Sequence, residues 1–133
     1  MPLKLKVITP EKILIDTEVD EFYSTATDGD FGIMPGHIPY MTPLAIGVSK
    51  YVQGDKDTYI STIGGLFQVQ KDEIIVLTES CGFGNKIDEQ RAKEAKERAE
   101  ARLGSLKTEN DIRRAELALA RAMARLKAAR KSK

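Results

Sequence analysis

The chain has 133 residues, 41% of them hydrophobic and 31% charged, with a formal net charge of +1. This is enough apolar material for one real core in one or two small domains, and it excludes a disordered chain. The longest run of Ile, Val and Leu is Ile74-Ile75-Val76-Leu77, so no direct membrane insertion is expected. Cys81 is the sole cysteine, which rules out an internal disulfide and suits a reducing compartment.

From residue 3 the pattern has period two: Leu3, Leu5 and Val7 face one way, Lys4 and Lys6 the other. Such a start reads as a strand, not as the apolar segment of a signal peptide. Residues 9–12 read as a turn, and Ile13 and Ile15 restart the alternation. Strands are then expected at 48–52, 58–62, 66–70 and 74–80, with 53–57 as a hairpin loop. Short strands separated by turn chemistry predict an antiparallel β-sandwich or barrel over residues 1–84.

Within it, residues 28–47 are rich in glycine and proline and read as a shaped loop. The stretch lacks the G-K-[ST] ending and following helix of a phosphate loop, and Asp28 and Asp30 would repel an anion. His37 is the only histidine and has no nucleophile motif beside it, so catalysis is not expected. Cys81 reads as a small buried filler.

After residue 84 the period changes. Residues 85–133 are predicted to form a second unit, an antiparallel hairpin of two helices at 88–103 and 110–130. Asp88 serves as N-cap of the first helix, with Ile87 and Ala92 in the two positions of a hydrophobic staple. Glu89/Lys93, Glu94/Arg98 and Lys93/Glu97 are i,i+4 pairs. Thr108-x-x-Asp111 marks the second start. Ile112, Ala115, Leu119, Ala122, Leu126 and Ala129 form a heptad seam, answered by Ala92, Ala95, Ala99 and Leu103. At ~25 cal/mol per Å², an alanine seam gains well under half of what a leucine seam would. The hairpin is therefore expected to be weakly held and able to change partners.

The charge is unevenly divided between the two units. Residues 1–84 hold 6 Lys/Arg against 12 Asp/Glu, a net of −6; residues 85–133 hold 15 against 8, a net of +7. If the turn centres near residue 106 or 107, Asp88 lies level with Arg125, and Arg91 falls between Arg121 and Arg125. Arg98 lies two turns from Arg91, roughly 10 Å along the axis. Three or four arginines beside one carboxylate suit a polyphosphate, whose oxygens accept from guanidinium forks. Spacing alone leaves a solvated basic surface as the other reading. Nucleic-acid binding is a third, opposed by the interleaved Glu89, Glu94, Glu97 and Glu100 and by the lack of any aromatic after Phe83.

An N-terminal β domain carrying GDFGIMPGHIP, followed by IDEQRAKEAKERAEARL and RRAELALARAMARL, closely resembles the ε subunit of bacterial F-type ATP synthases. The resemblance covers essentially the whole chain. It implies a ten-stranded β-sandwich that docks on the γ rotor subunit and the c-ring at the cytoplasmic face of the membrane. It also implies a non-catalytic subunit whose helices extend along γ towards the catalytic α/β subunits to inhibit ATP hydrolysis, or fold down and permit it. No nucleic-acid partner is implied. Many members bind ATP in the folded-down state through Ile/Leu-Asp-x-x-Arg-Ala, which stands here as Ile87-Asp88-Glu89-Gln90-Arg91-Ala92, and the family's further arginines match Arg98, Arg121 and Arg125. One departure is that relatives carry a glutamate just before the motif, where this chain has Gly82.

Overall fold

The computed structural model describes residues 2–105 and 108–133. The strands are β1 (Leu3–Ile8), β2 (Ile13–Val19), β3 (Glu21–Ala26), β4 (Gly29–Ile33), β5 (Tyr40–Gln53), β6 (Lys56–Gln70), β7 (Glu73–Leu77) and β8 (Cys81–Phe83). A short 3-10 turn, Gly84–Lys86, leads to α1 (Glu89–Leu103) and α2 (Glu109–Lys131). This is the α+β arrangement the sequence predicts. Neighbouring strands run β2-β1-β7-β6-β5-β3-β4, with β8 beside β6. Pairing is antiparallel except between β1 and β7, which run parallel. Leu3, Leu5 and Val7 are fully buried, in one core with Phe22, Phe67, Ile74 and Val76.

The resemblance implies ten strands; among the described residues there are eight, two of them, β5 and β6, being long at 14 and 15 residues. β6 pairs with β8 through Ile60–Thr62 and with β7 through Leu66–Gln70. The change falls at Gly64 and Gly65, whose φ values of +67° and +117° lie in the left-handed region that favours glycine. The stretch 28–47 holds more strand than its composition suggests, since β4 and the first half of β5 lie inside it. Gly32 explains part of this: a Cβ there would sit 2.7 Å from the Tyr23 ring, so the bare backbone lets the ring lie across the strand. The expected loop at 53–57 shrinks to a two-residue turn in which Gly54 donates its N–H to Asp20 at 2.7 Å. The strand expected at 74–80 ends at Leu77. Buried Thr78 accepts the Ile63 N–H at 3.2 Å and turns the chain away.

α2 lies on β5, β6 and the 3-10 turn, and α1 packs on α2, so the hairpin is folded down. The predicted seam is present: Ala92, Ala99, Ala115, Ala122, Leu126 and Ala129 are buried, while Ala95, Leu103, Ile112 and Leu119 are half-buried. Ala124 and Ala128 are buried as well, although they lie outside the seam. α2 therefore buries two faces, one on α1 and one on the sandwich, and both are built largely of alanine.

Candidate functional site

The first helix starts as its residues dictate. Asp88, in extended backbone, accepts the Arg91 N–H at 3.2 Å, which satisfies one free amide of the first turn. Ile87 is half-buried and packs over Gly82: a Cβ at Gly82 would lie 3.5 Å from the Ile87 side chain and 3.3 Å from Ser61 Oγ. The position where relatives carry a glutamate is thus covered by Ile87. Ala92 is buried in the seam, and Arg91 is exposed beside it.

Further along, the two helices part around a cavity of about 340 Å³. Its floor is alanine, including Ala95, Ala99, Ala118 and Ala122, and its walls carry Arg98, Arg102, Arg121 and Arg125. The structure thus gathers three of the four predicted arginines. Arg91 lies on the same face one turn beyond Ala95, about 6 Å along the axis. Ile87, Asp88 and Ala92 stand at the start of α1 and do not line the cavity. Arg102 is the residue that sequence reasoning missed. The signal was present, because Arg91, Ala95, Arg98 and Arg102 follow i, i+4, i+7 and i+11 along one helical face.

Glu89 accepts from Arg130 Nε at 3.1 Å and from Lys133 Nζ, which ties the start of α1 to the last turn of α2. The assumed turn centre, residues 106–107, lies outside the described residues. The expected i,i+4 pairs are replaced by Lys96–Glu100 at 3.9 Å and a Gln90-to-Glu94 hydrogen bond. Glu89 is drawn across the hairpin because two cations converge there.

The hydrogen bonds from Lys133 and then Arg130 hold the Glu89 carboxyl below its ordinary value of 4.5. A carboxyl depressed on folding contributes stability above its unfolded pKa and loses it as pH falls through the folded value. Amide exchange in the last turn of α2, corrected for intrinsic rate, should therefore be steady at neutral pH and rise modestly below about pH 4.5. The same rise in Glu89→Gln would show that this tie contributes nothing.

Arg121 also reaches outside the hairpin: its Nη2 lies 3.8 Å from Glu79 Oε2, on the turn between β7 and β8. Burial pushes the Cys81 thiol up to about 12, which keeps it protonated and a poor nucleophile. The chemistry of the cavity is that of guanidinium groups over a shallow apolar floor. Guanidinium groups donate forked hydrogen bonds to phosphate or carboxylate oxygens, and Arg98, Arg102, Arg121 and Arg125 supply such donors here.

Comparison with known proteins agrees with this architecture. Residues 2–83 match the family described as "ATP synthase, Delta/Epsilon chain, beta-sandwich domain". Residues 85–130 match "ATP synthase, Delta/Epsilon chain, long alpha-helix domain". The chain is 40% identical over 126 residues to the ATP synthase epsilon chain of Desulforamulus reducens, covering 95% of this chain and 96% of that one. It is 38% identical over 124 residues to that of Bacillus velezensis, covering 93% and 94%. Its fold is similar to a chain in the Euglena gracilis mitochondrial ATP synthase, with TM-score 0.84, 22% identity and 96% and 81% of the two chains covered. A chain of the Tetrahymena thermophila central stalk and c-ring is also similar, with TM-score 0.67, 12% identity and 96% of each chain covered. With its sandwich, its two helices and these relatives, the chain belongs to the ATP synthase delta/epsilon family, alongside the bacterial epsilon chains.

Proposed function

We propose that the chain is a non-catalytic rotor subunit of a membrane-associated ATP synthase, at the cytoplasmic face, with its hairpin as a regulatory element that ATP biases. The sandwich docks on the γ subunit and the c-ring. Two exposed apolar patches at opposite ends of β7 support docking on two neighbours. One is a row across four strands, exposed Ile13 and Leu77 with half-buried Ile8 and Leu66, joined through their cross-strand pairing. The other is the tip carrying Met34, Ile38 and Met41, with Ile38 74% exposed. Gly36 pins this tip to Asp72, at the start of β7, by a 2.8 Å hydrogen bond.

The observation that carries the regulatory reading is the arginine-walled cavity inside a hairpin held by alanine. Isolated helices of this length are marginal in water, so packing on the sandwich and on each other decides their posture. When the hairpin opens, the arginines separate and the cavity is lost. ATP bound there stabilises the folded-down state by its differential affinity, and opening frees the helices to extend towards the α and β subunits and inhibit hydrolysis. Among this chain's residues, Arg98, Arg102, Arg121 and Arg125 hold the phosphates, Arg91 extends the row, and Asp88 with Ile87 fixes the start of α1. A nucleic-acid role for the helices gains no support, because the relatives similar over nearly the whole chain are ATP synthase epsilon chains.

ATP at a hundred times its dissociation constant should stabilise the isolated chain by ~2.7 kcal/mol, read as a rise in unfolding temperature. Arg98→Ala and Arg125→Ala should each remove most of that rise. Equal rises in both variants and wild type would take these residues out of the site.

A further inference from the structure

Among the described residues, one ion pair joins the hairpin to the sandwich: Glu79 with Arg121. Glu79 sits on a turn that is well held. On one side Thr78 is buried, accepting from the Ile63 N–H and donating to the Ser80 carbonyl at 3.2 Å. On the other, the Ser80 carbonyl accepts the Ile63 N–H at 3.0 Å, and the Gly82 N–H donates to Ser61 Oγ at 3.2 Å. The carboxylate therefore projects from a fixed backbone, 68% exposed, towards an arginine that lines the cavity.

We infer that Glu79 is a built-in counter-ion of the arginine cavity, a carboxylate that competes with phosphate for Arg121 and so sets the affinity of the site. The inference rests on the cavity being the polyphosphate site. A carboxylate and a phosphate oxygen want the same N–H donors of Arg121, and placing both there brings like charges together. Phosphate binding must displace Glu79 and release the one ionic tie between hairpin and sandwich. The pair is solvent-exposed, so the competition is modest and its removal should act on affinity without disturbing the fold. It also gives the cavity a preference for highly charged ligands, which better repay the displaced carboxylate.

The test is titration of the full chain with ATP and, separately, with inorganic tripolyphosphate at fixed ionic strength, for wild type, Glu79→Gln and Arg98→Ala. Glu79→Gln should tighten both ligands about two- to fivefold, the range an exposed ion pair spans. Unchanged or weaker binding of both, with Arg98→Ala still lowering affinity, would leave the cavity as the site and overturn the role of Glu79. Weaker ATP binding with tripolyphosphate unchanged would also overturn it, by placing Glu79 against the nucleoside. If Arg98→Ala changes neither ligand, or wild type binds neither, the cavity is not the site and the inference falls with it.

Discussion

Gly84→Ala is expected to lift the carboxy-terminal turn of α2 from the sandwich while leaving the strands folded. Gly84 is buried in the 3-10 turn, and a Cβ there would lie 2.3 Å from the Ala128 carbonyl oxygen and 2.1 Å from Ser132 Oγ. The serine hydroxyl can rotate, but the carbonyl belongs to helix backbone and moves only if the helix does. Overpacking of this kind costs about 1–3 kcal/mol. A leucine-lined interface would absorb such a cost. The face of α2 against the sandwich offers Ala124 and Ala128, so the docked state has little in reserve. Hydrogen exchange across α2 should accelerate at least about fivefold, with exchange in β1 and β7 unchanged. In the assembled enzyme the freed hairpin should lower ATP hydrolysis. Wild-type protection of α2 in this variant would mean that the helix is anchored elsewhere and that alanine docking does not limit the switch.

Gly65→Ala is expected to act on the sandwich itself, and more severely. At φ +117° an L side chain is strained whatever the space, and here there is none. The added Cβ would fall 1.8 Å from the Leu77 carbonyl oxygen and 2.9 Å from Thr78 Cα, both backbone. This is where β6 leaves β8 for β7 and the chain crosses close above it. Strain and overlap together should cost about 3 kcal/mol or more and lower the unfolding temperature by roughly 10 °C. An unfolding temperature within 2 °C of wild type, about the effect of 0.5 kcal/mol, would show that the crossing is not rigid. The two glycines separate the two halves of the mechanism, since one holds the scaffold and the other permits the docking.

Much of the site was legible because helix periodicity is strict. Arg121 and Arg125 share a face because they stand four apart, and Arg98 meets them because the alanines beside it form the seam with α2. Asp88 caps α1 because a carboxylate before a helix has one natural set of donors. The strands within 28–47 were not legible. Their hydrogen bonds go to partners far along the chain, and the exposed glycines and prolines there look like loop until Tyr23 and Leu66 are seen against them.

The sequence by itself determined the alternation that buries Leu3, Leu5 and Val7, the two helices with their caps, the alanine seam, and the segregation of acidic and basic halves. These are local properties, written in residues a few positions apart. Only the tertiary structure decided that α2 lies down on β5 and β6, that Ile87 covers Gly82, and that Glu79 faces Arg121. Those outcomes depend on where the chain crosses itself at Gly65 and approaches itself at Gly84. Short-range pattern does not encode them, because the atoms that meet there are 12 and 44 residues apart in Gly65–Leu77 and Gly84–Ala128.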